Sequence, residues 1–274
     1  MRLTQDARRR IVVGLLACAA AAVACIDMSA PKGAASISQL QLPSPSVVRG
    51  DTMRDSAGNV APVTVTSYDA GGVPIPEIPF ALFVLDTMLR AHFTLTHLLV
   101  GDKLGNVTVV GQASGVQTLT VNVPVTVRPT TLSVGTPKPD TIAAPLGSDS
   151  ASSVGHATLA TIVRGAGDTT VQGIVVHYRI TKTLGSSSTT TPSVYIADMS
   201  SPPKPMNADT TDAGGSANKR QVVVLTRLLT DQALISGQKV DSVVVEARAS
   251  YKGAPLTGSP LTMVFPIKVT IAIR

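Results

Sequence analysis

Residues 116–127, VQTLTVNVPVTV, alternate apolar and polar side chains along their whole length. Successive side chains of an extended strand point to opposite faces. One face therefore collects Leu119, Val121, Val123, Val125 and Val127. Pro124 has no N–H to donate to a neighbour, so this strand is expected to lie at a sheet edge or to break there. The stretch predicts a half-buried β-strand.

The remainder of the chain repeats this pattern in shorter pieces. Val and Thr favour pleated strands, whereas Gly, Pro, Asn and Asp favour the turns between them. The run 80–85, FALFVL, is nearly continuous in apolar residues, which predicts a strand buried on both faces. Helical spacing is confined to a short turn near Asp231 to Ile235. Further strands are predicted at 37–42, 62–68, 106–110, 157–163, 173–180, 193–196, 220–226, 242–249 and 261–272.

The sequence predicts an all-β chain with two antiparallel β-sandwich domains. Short strands separated by Gly and Asp turns are typical of sandwiches, and there are enough of them for two. Arg128-Pro129 follows the longest alternating strand and is the expected boundary. The domains are expected at residues 36–128 and 129–274.

The first 24 residues have the layout of an export signal. Four arginines, at positions 2, 8, 9 and 10, precede the uncharged apolar run 11–24. This run is shorter than the roughly 20 residues that a helix needs to cross the hydrocarbon core of a bilayer. A signal peptide is therefore favoured over a membrane span.

Both cysteines of the chain, Cys18 and Cys25, lie in or beside this segment. Residues 22–25, AVAC, resemble the bacterial lipobox, whose cysteine is lipidated and becomes the first residue of the mature protein. Residues 15–18, LLAC, also match the lipobox sequence. Cleavage there would leave the signal peptide only a short apolar core, so Cys25 is preferred to Cys18. The resemblance implies a membrane-anchored lipoprotein with residues 25–35 as a lipidated tether. Ile26 is not the aspartate associated with inner-membrane retention, which points to the outer membrane.

The charge balance argues against a nucleic-acid partner. The chain has 23 basic and 17 acidic residues; residues 1–24 hold four arginines and Asp6, which leaves 19 and 16. Aromatic residues make up only 3% of the chain. A nucleic-acid binder needs a clustered basic face, usually with aromatic residues for stacking. The body after Cys25 has no cysteine, so core packing rather than disulfides is expected to stabilise it.

Short motifs recur in both halves. Residues 67–72, SYDAGG, are echoed by 210–215, TTDAGG, and 54–59, RDSAGN, are related. Together with Gly50-Asp51-Thr52 and the alternating strand 116–127, these motifs resemble the bacterial Ig-like repeat domains of surface proteins. The resemblance implies Ig-like β-sandwich domains that serve as scaffolds for binding or spacing.

Residues that could carry chemistry are scattered. Arg49-Gly50-Asp51 matches the tripeptide read by adhesion receptors, but it equally suits an ordinary turn at the start of a strand. On a strand, the spacing of five would put His92 and His97 on opposite faces, and no cysteine lies near them to complete a zinc site. Isolated polar positions on strands or loops are therefore expected. The other two histidines are His156 and His177.

Four aspartates in or near glycine-rich turns are candidate calcium ligands, but the alternating carboxylates of a calcium loop are absent. Asp-Gly turns are commonly stabilised by the carboxylate binding its own backbone. These aspartates are Asp69, Asp102, Asp168 and Asp212. Common catalytic motifs are absent, and the only glutamates are Glu77 and Glu246. No metal, cofactor or catalytic residue is predicted.

The sequence thus predicts an exported lipoprotein whose Ig-like domains form a non-catalytic binding or spacer module. Its partners would be membrane lipid, through acylated Cys25, and a protein or glycan ligand. One alternative is a structural subunit of an envelope or secretion assembly that adds a strand at the exposed edge of 116–127. A cell-surface hydrolase is a weaker alternative, because paired carboxylates can be assembled from distant aspartates.

Overall fold

The computed structural model of the protein describes residues 37–76, 78–113, 119–146 and 153–271. The predicted signal peptide, Cys18, Cys25 and the tether lie outside these ranges, as do Glu77 and the first three residues of the strand 116–127. The described part of the chain is all-β, as predicted. Its α-helical content is the single short helix α1 (Gln232–Ile235).

In the described residues, nine strands form the N-terminal sandwich. One sheet has the order β2-β9-β8-β5, with β2 parallel to β9 and the other neighbours antiparallel. The facing layer consists of the small sheet β1-β3-β4 and the hairpin β6-β7. The strands are β1 (Ile37–Gln41), β2 (Val47–Val48), β3 (Thr64–Tyr68), β4 (Pro74–Ile75), β5 (Phe80–Leu85), β6 (Ala91–Phe93), β7 (Leu99–Gly101), β8 (Gly105–Ala113) and β9 (Leu119–Thr126).

Eleven strands of the described chain belong to the C-terminal sandwich. Its two sheets have the orders β10-β12-β16-β14 and β11-β20-β17-β13-β15, and β18-β19 is a separate hairpin. The strands are β10 (Pro129–Val134), β11 (Ile142–Leu146), β12 (Val154–Gly165), β13 (Val175–Lys182), β14 (Val194–Asp198), β15 (Ala208–Thr210), β16 (Ser216–Leu225), β17 (Asp241–Arg248), β18 (Ser250–Tyr251), β19 (Ala254–Pro255) and β20 (Leu261–Ile271).

The strand order of the C-terminal sandwich is that of an immunoglobulin-like fold. Lettered along the chain, β10, β12, β16 and β14 are strands A, B, E and D, and β13, β17 and β20 are C, F and G. The N-terminal sandwich has the same C, F and G strands in β5, β8 and β9. Its other layer is divided, because β1-β3 and β6-β7 do not pair with each other.

Each sandwich has its own hydrophobic core. The C-terminal core includes large side chains such as Phe265, Leu159 and Ile267, each with no exposed surface. Tyr178 lies in the same core, where its hydroxyl contacts Thr161 Oγ1 at 3.0 Å. Burial raises the pKa of Tyr178 to about 12. The N-terminal core is composed mainly of valines, with Met53 and Leu99 as its largest fully buried side chains.

The alternating strand behaves as predicted within its described part. Val123 and Val125 are buried, whereas Thr120 and Asn122 are exposed. β9 pairs with β8 along one side, and on the other side β2 pairs only with Val125 and Thr126. Within the described ranges, therefore, Pro124 lies where that side of β9 has no partner strand, in agreement with its missing N–H.

One strand prediction is wrong. The run 80–85 is a strand, but it is the edge strand β5 and its burial alternates. Phe83 is 38% exposed and Leu85 is 59% exposed. A continuous apolar run indicates burial on both faces only when layers cover both sides. In contrast, the short helix near residue 231 is confirmed: Asp231 caps α1 by accepting from the N–H groups of Ala233 and Leu234.

Candidate functional site

The most highly organised polar cluster lies between the two sandwiches and is centred on Asp51. Arg54 binds the Asp51 carboxylate through two nitrogens, at 3.0 and 3.1 Å. From the C-terminal sandwich, Lys252 Nζ lies 3.2 Å from Asp51 Oδ2, and the Tyr251 hydroxyl donates to the same oxygen. The Asp51 side chain is only 10% exposed. We call these four residues the clamp.

The clamp keeps Asp51 ionised. Burial alone would raise the pKa of Asp51, but hydrogen bonds from Arg54, Tyr251 and Lys252 outweigh it and hold the pKa well below its usual range. The pKa of Tyr251 shifts in the opposite direction, because burial and the hydrogen bond to the Asp51 carboxylate both raise it. A partly buried carboxylate with several donors is stabilised as the anion.

Local turn geometry brings the partners together. Tyr251 and Lys252 belong to the hairpin β18-β19, whose two-residue turn is Lys252-Gly253. Both turn residues have positive φ, 55° and 74°, as a type I′ hairpin requires. Gly58, from the N-terminal sandwich, packs directly on this turn. A Cβ at Gly58 would lie 2.5 Å from the nitrogen of Gly253, so only glycine fits there.

A second contact joins the sandwiches beside the clamp. The Ser46 hydroxyl donates to the Gly173 carbonyl at 3.2 Å, and this bond is buried. A Cβ at Gly173 would lie 2.4 Å from the Cβ of Ser46. The connecting chain also takes part: Val127 packs against the C-terminal core, and the Arg128 guanidinium lies 5.7 Å from the centre of the Tyr251 ring. The two sandwiches therefore meet through a packed junction.

The junction encloses a cavity of about 90 Å³, whose lining includes Ser46, Arg54, His177 and Tyr251. Sites for small organic ligands usually measure about 300–1,000 Å³. This cavity suits water rather than such a ligand. The junction is thus organised as a structural clamp.

The Arg49-Gly50-Asp51 tripeptide is divided by this arrangement. Arg49 is exposed and its N–H donates to the Thr126 carbonyl at 2.8 Å. Gly50 has a φ of 75°, and Asp51 lies in the clamp. An adhesion receptor would need the aspartate side chain that Tyr251 and Lys252 already bind. The geometry favours the turn interpretation of the tripeptide.

The four histidines do not come together. His92 is in β6, where its Nδ1 lies 2.7 Å from Asp102 Oδ2. His97 is in the following turn with a φ of 61°, and its ring packs at 4.9 Å from that of Phe80. The two histidines do not share a strand, because β6 ends at Phe93. His156 and His177 are exposed on β12 and β13.

The sequence echoes are three copies of one turn. Asp55, Asp69 and Asp212 each accept hydrogen bonds of 2.8–3.0 Å from the N–H groups two and four residues later. The third residue after each aspartate is a glycine with positive φ: Gly58, Gly72 and Gly215. The carboxylates bind their own backbone, which is the turn-stabilising role considered for Asp69 and Asp212.

Two further turns of this kind lack the glycine and could not be recognised from the sequence. Asp86 accepts from the N–H of Met88 at 3.1 Å and of Arg90 at 2.5 Å, with Leu89 at a φ of 53° in the glycine position. Thr94 accepts from the Leu98 N–H, and His97 takes the corresponding position.

The remaining acidic candidates form separate ion pairs. Asp168 lies 3.0 Å from Arg164, and Glu246 lies on β17 between Arg248 and the more distant Arg179. Glu77 is outside the described residues. Within residues 37–271 as described, no group of three or more His, Cys, Asp or Glu side chains is arranged to hold a metal ion.

Comparisons with known proteins give distant likenesses only. No protein-family model and no curated protein matches the sequence. Domains 4 and 5 of the S-layer protein SbsC superpose with a TM-score of 0.30 at 12% identity, over 86% of this chain and 98% of theirs. The Yersinia pseudotuberculosis adhesin InvE gives 0.30 at 15% identity, over 88% of this chain and 61% of its own.

Mouse cadherin-23 EC22–24 gives 0.27 at 14% identity, over 86% of this chain and 65% of its own. Likenesses of this strength do not indicate what the present chain binds. In the described ranges, no helix is both long and apolar enough to cross a membrane.

Sequence reasoning found Asp51 but not its partners. Arg54 is three residues away, and the pair could have been suspected from that spacing. Tyr251 and Lys252 are two hundred residues away, and no local pattern marks them. The sequence places Gly58 in a turn motif, but its contact with Gly253 exists only in the folded chain.

Proposed function

We propose that this chain is an exported envelope lipoprotein, anchored through acylated Cys25, whose two Ig-like β-sandwich domains form a non-catalytic binding or spacer module. The domains would be residues 36–128 and 129–274, as the sequence predicts. The observation that carries the spacer part of this proposal is the clamp around Asp51. The anchor part rests on the likeness of residues 22–25 to the lipobox. A packed junction suits a module that presents its outer sandwich at a defined position, and its cavity of about 90 Å³ is smaller than the usual sites for organic ligands.

The described chain begins far from the clamp, which supports a spacer role. β1 begins at Ile37 beside Tyr68, and Leu40 packs near Gly111. Gly111 is six residues along β8 from Gly105, which pairs with Val125 at the clamp end of the sheet. At about 3.3 Å per residue, the tethered end lies roughly 20 Å or more from the clamp. The C-terminal sandwich would then face away from the membrane.

The anchor is tested by substitution of each cysteine in turn. We expect Cys25→Ser to abolish incorporation of labelled palmitate and to release the chain from the membrane fraction. The matched variant Cys18→Ser should leave both unchanged, because Cys18 would lie within the cleaved signal. If only Cys18→Ser lost the palmitate label, Cys18 would be the acylated residue. If neither variant lost the label, the lipoprotein proposal would be refuted.

The side of the outer membrane is tested by protease treatment of intact cells, with a periplasmic protein as control. Loss of the full-length chain from intact cells would place the sandwiches on the surface, where capture of a protein or glycan ligand is the natural role. Protection until the outer membrane is opened would favour the periplasmic face. That outcome would strengthen the alternative of a structural subunit in an envelope assembly.

A further inference from the structure

A shallow groove runs along one side of the C-terminal sandwich, between β13 and β14. Its volume is about 520 Å³. The lining combines backbone from both strands with the segment that crosses from one sheet to the other. Its side chains include Ile180, Tyr195, Met206 and Asn207.

On one side of the groove, the edge of β13 is only partly covered. β15 pairs with residues 175–177, and the Tyr178 N–H donates to the Asn207 carbonyl at 2.7 Å. Alternate residues of a strand direct their backbone groups to the same side, so Ile180 points its N–H and C=O the same way as Tyr178. β17 occupies the opposite side of β13. Among the described strands, none pairs with Ile180 on the groove side.

The edge of β14 is likewise paired over only part of its length, although Val194 is only 3% exposed. The Ile196 carbonyl accepts from the Met206 N–H at 3.1 Å, which identifies the groove side of this strand. Val194 directs its backbone the same way, two residues earlier, whereas β16 pairs on the opposite side. In the described part of the chain, the crossing segment pairs with β14 only from Ile196 onward. Two sheet edges therefore border one groove.

The side chains around these edges are apolar inside and cationic at the rim. Met206 is 45% exposed, and Ile180 and Tyr195 are half-buried. The Arg179 side chain is 67% exposed. Lys204 is exposed at the other end of the crossing segment.

The nearby carboxylates are already occupied. Glu246 lies 3.8 Å from Arg179 but pairs more closely with Arg248. Asp198 accepts from the Ser200 hydroxyl and from the Lys204 N–H. Counting Arg179, Lys204 and Arg248 against Glu246 and Asp198, three positive charges lie near two negative ones, and this excess complements an acidic partner.

We propose that this groove binds an extended, acidic segment of a protein partner, which adds to β13 as a strand along the line that β15 begins. Main-chain hydrogen bonds to Ile180 would fix the register of the bound segment. Alternate side chains of that segment would pack on the apolar residues of the groove, and Arg179 would pair with one of its acidic side chains. The proposal deepens the binding role proposed above and rests on it. It does not depend on the anchor, so failed acylation and failed strand addition would appear in separate measurements.

The test uses the purified chain and an acetylated, amidated heptapeptide of alternating glutamate and valine. Residue-resolved amide exchange is measured by NMR with and without the peptide. We expect saturating peptide to slow exchange of the Ile180 amide about tenfold, as a new hydrogen bond of roughly 1.4 kcal/mol would. The amides of β5, which is also an edge strand, serve as the internal control and should not change.

Matched variants and peptides separate strand addition from general attraction. Arg179→Ala should weaken peptide binding about fivefold to tenfold, since a charge-assisted hydrogen bond is lost. Lys268→Ala removes an exposed cation from β20 of the same sheet and should leave binding within about twofold. A peptide with N-methylated amides, and one with lysine in place of glutamate, should both bind at least about tenfold more weakly.

Several results would overturn the proposal. Binding that leaves the Ile180 amide unprotected would place the peptide elsewhere, and equal binding of the N-methylated peptide would exclude main-chain pairing. Equal binding of the lysine peptide would remove the charge argument. Protection of Ile180 that rises with protein concentration in the absence of peptide would show that a second copy of the chain fills the groove.

Discussion

One sheet has the same strand arrangement in both sandwiches, whereas the facing layer differs. Each has strands C, F and G with a parallel strand beside G, formed by β2 in the N-terminal sandwich and β11 in the C-terminal one. In the C-terminal sandwich the facing layer is one continuous four-stranded sheet. In the N-terminal sandwich that layer is two pieces, and the segment before β3 lies between them: the Met53 N–H donates to the Leu99 carbonyl, and the Val63 N–H to the His97 carbonyl.

This difference has an energetic consequence. A divided layer covers less of the opposing sheet, and the N-terminal core is correspondingly built of smaller side chains. Most of the highly exposed large apolar side chains in the described ranges also belong to this sandwich, including Leu85, Met88, Leu89 and Leu95. Buried apolar area contributes about 25 cal/mol per Å², so the N-terminal sandwich is expected to be the less stable of the two. The clamp joins the N-terminal sandwich to the more stable C-terminal sandwich.

Removal of the clamp should show the difference in stability between the two sandwiches most clearly. We expect Asp51→Ala to destabilise the N-terminal sandwich by about 2–3 kcal/mol, because hydrogen bonds to a charged, largely buried group are lost and two cations remain unpaired. Urea unfolding should then separate into two transitions, the first belonging to the N-terminal sandwich. Asp69→Ala, which removes a turn-stabilising carboxylate of the same sandwich away from the junction, is the control. A single unchanged transition in Asp51→Ala would show that the clamp does not couple the sandwiches.

The repeated turn allows a matched comparison of two glycines. Gly58 and Gly72 occupy the same turn position with φ of 88° and 78°, but Gly72 has no neighbour within 4 Å of an added Cβ. Gly72→Ala should cost about 1 kcal/mol from backbone strain alone. Gly58→Ala should cost at least about 2 kcal/mol, because the new methyl group also meets the Gly253 backbone. Equal losses of melting temperature would mean that the junction yields freely at this point.

The pH dependence of the clamp follows from the direction of the Asp51 shift. The pKa of Asp51 is lower in the folded chain than its ordinary value of 3.8, so its contribution is present above that value and is lost as pH falls through the folded pKa. Asp51→Asn should be about 1–2 kcal/mol less stable than the unsubstituted chain from pH 8 to about pH 5. The difference in stability between Asp51→Asn and the unsubstituted chain should narrow below about pH 4. A difference that widens in acid would contradict the assigned direction.

The smallest expected effect concerns the turns without glycine. Leu89 holds a φ of 53° with 70% of its surface exposed, so its conformation costs energy and its side chain gains little burial. Leu89→Gly should raise the stability of the N-terminal sandwich by about 0.5–1 kcal/mol, measured by thermal unfolding. His97→Gly is the companion change, and its gain should be smaller because the His97 ring packs on Phe80. A loss of stability in Leu89→Gly would indicate that Leu89 makes a contact that outweighs the strain.

The sequence by itself determined the all-β class, the face of β9 that is buried, the short helix near Asp231 and the turns that contain both aspartate and glycine. These features depend on residues close together in the chain, whose periodicity and backbone preferences are local properties. Only the tertiary structure decided that β5 is an exposed edge and that Leu89 and His97 occupy turn positions usually filled by glycine. It also decided that Asp51 meets Tyr251 and Lys252, because such a contact depends on how two separately packed cores come together. No local spacing encodes that arrangement, since the partners are joined only by folding of the chain between them.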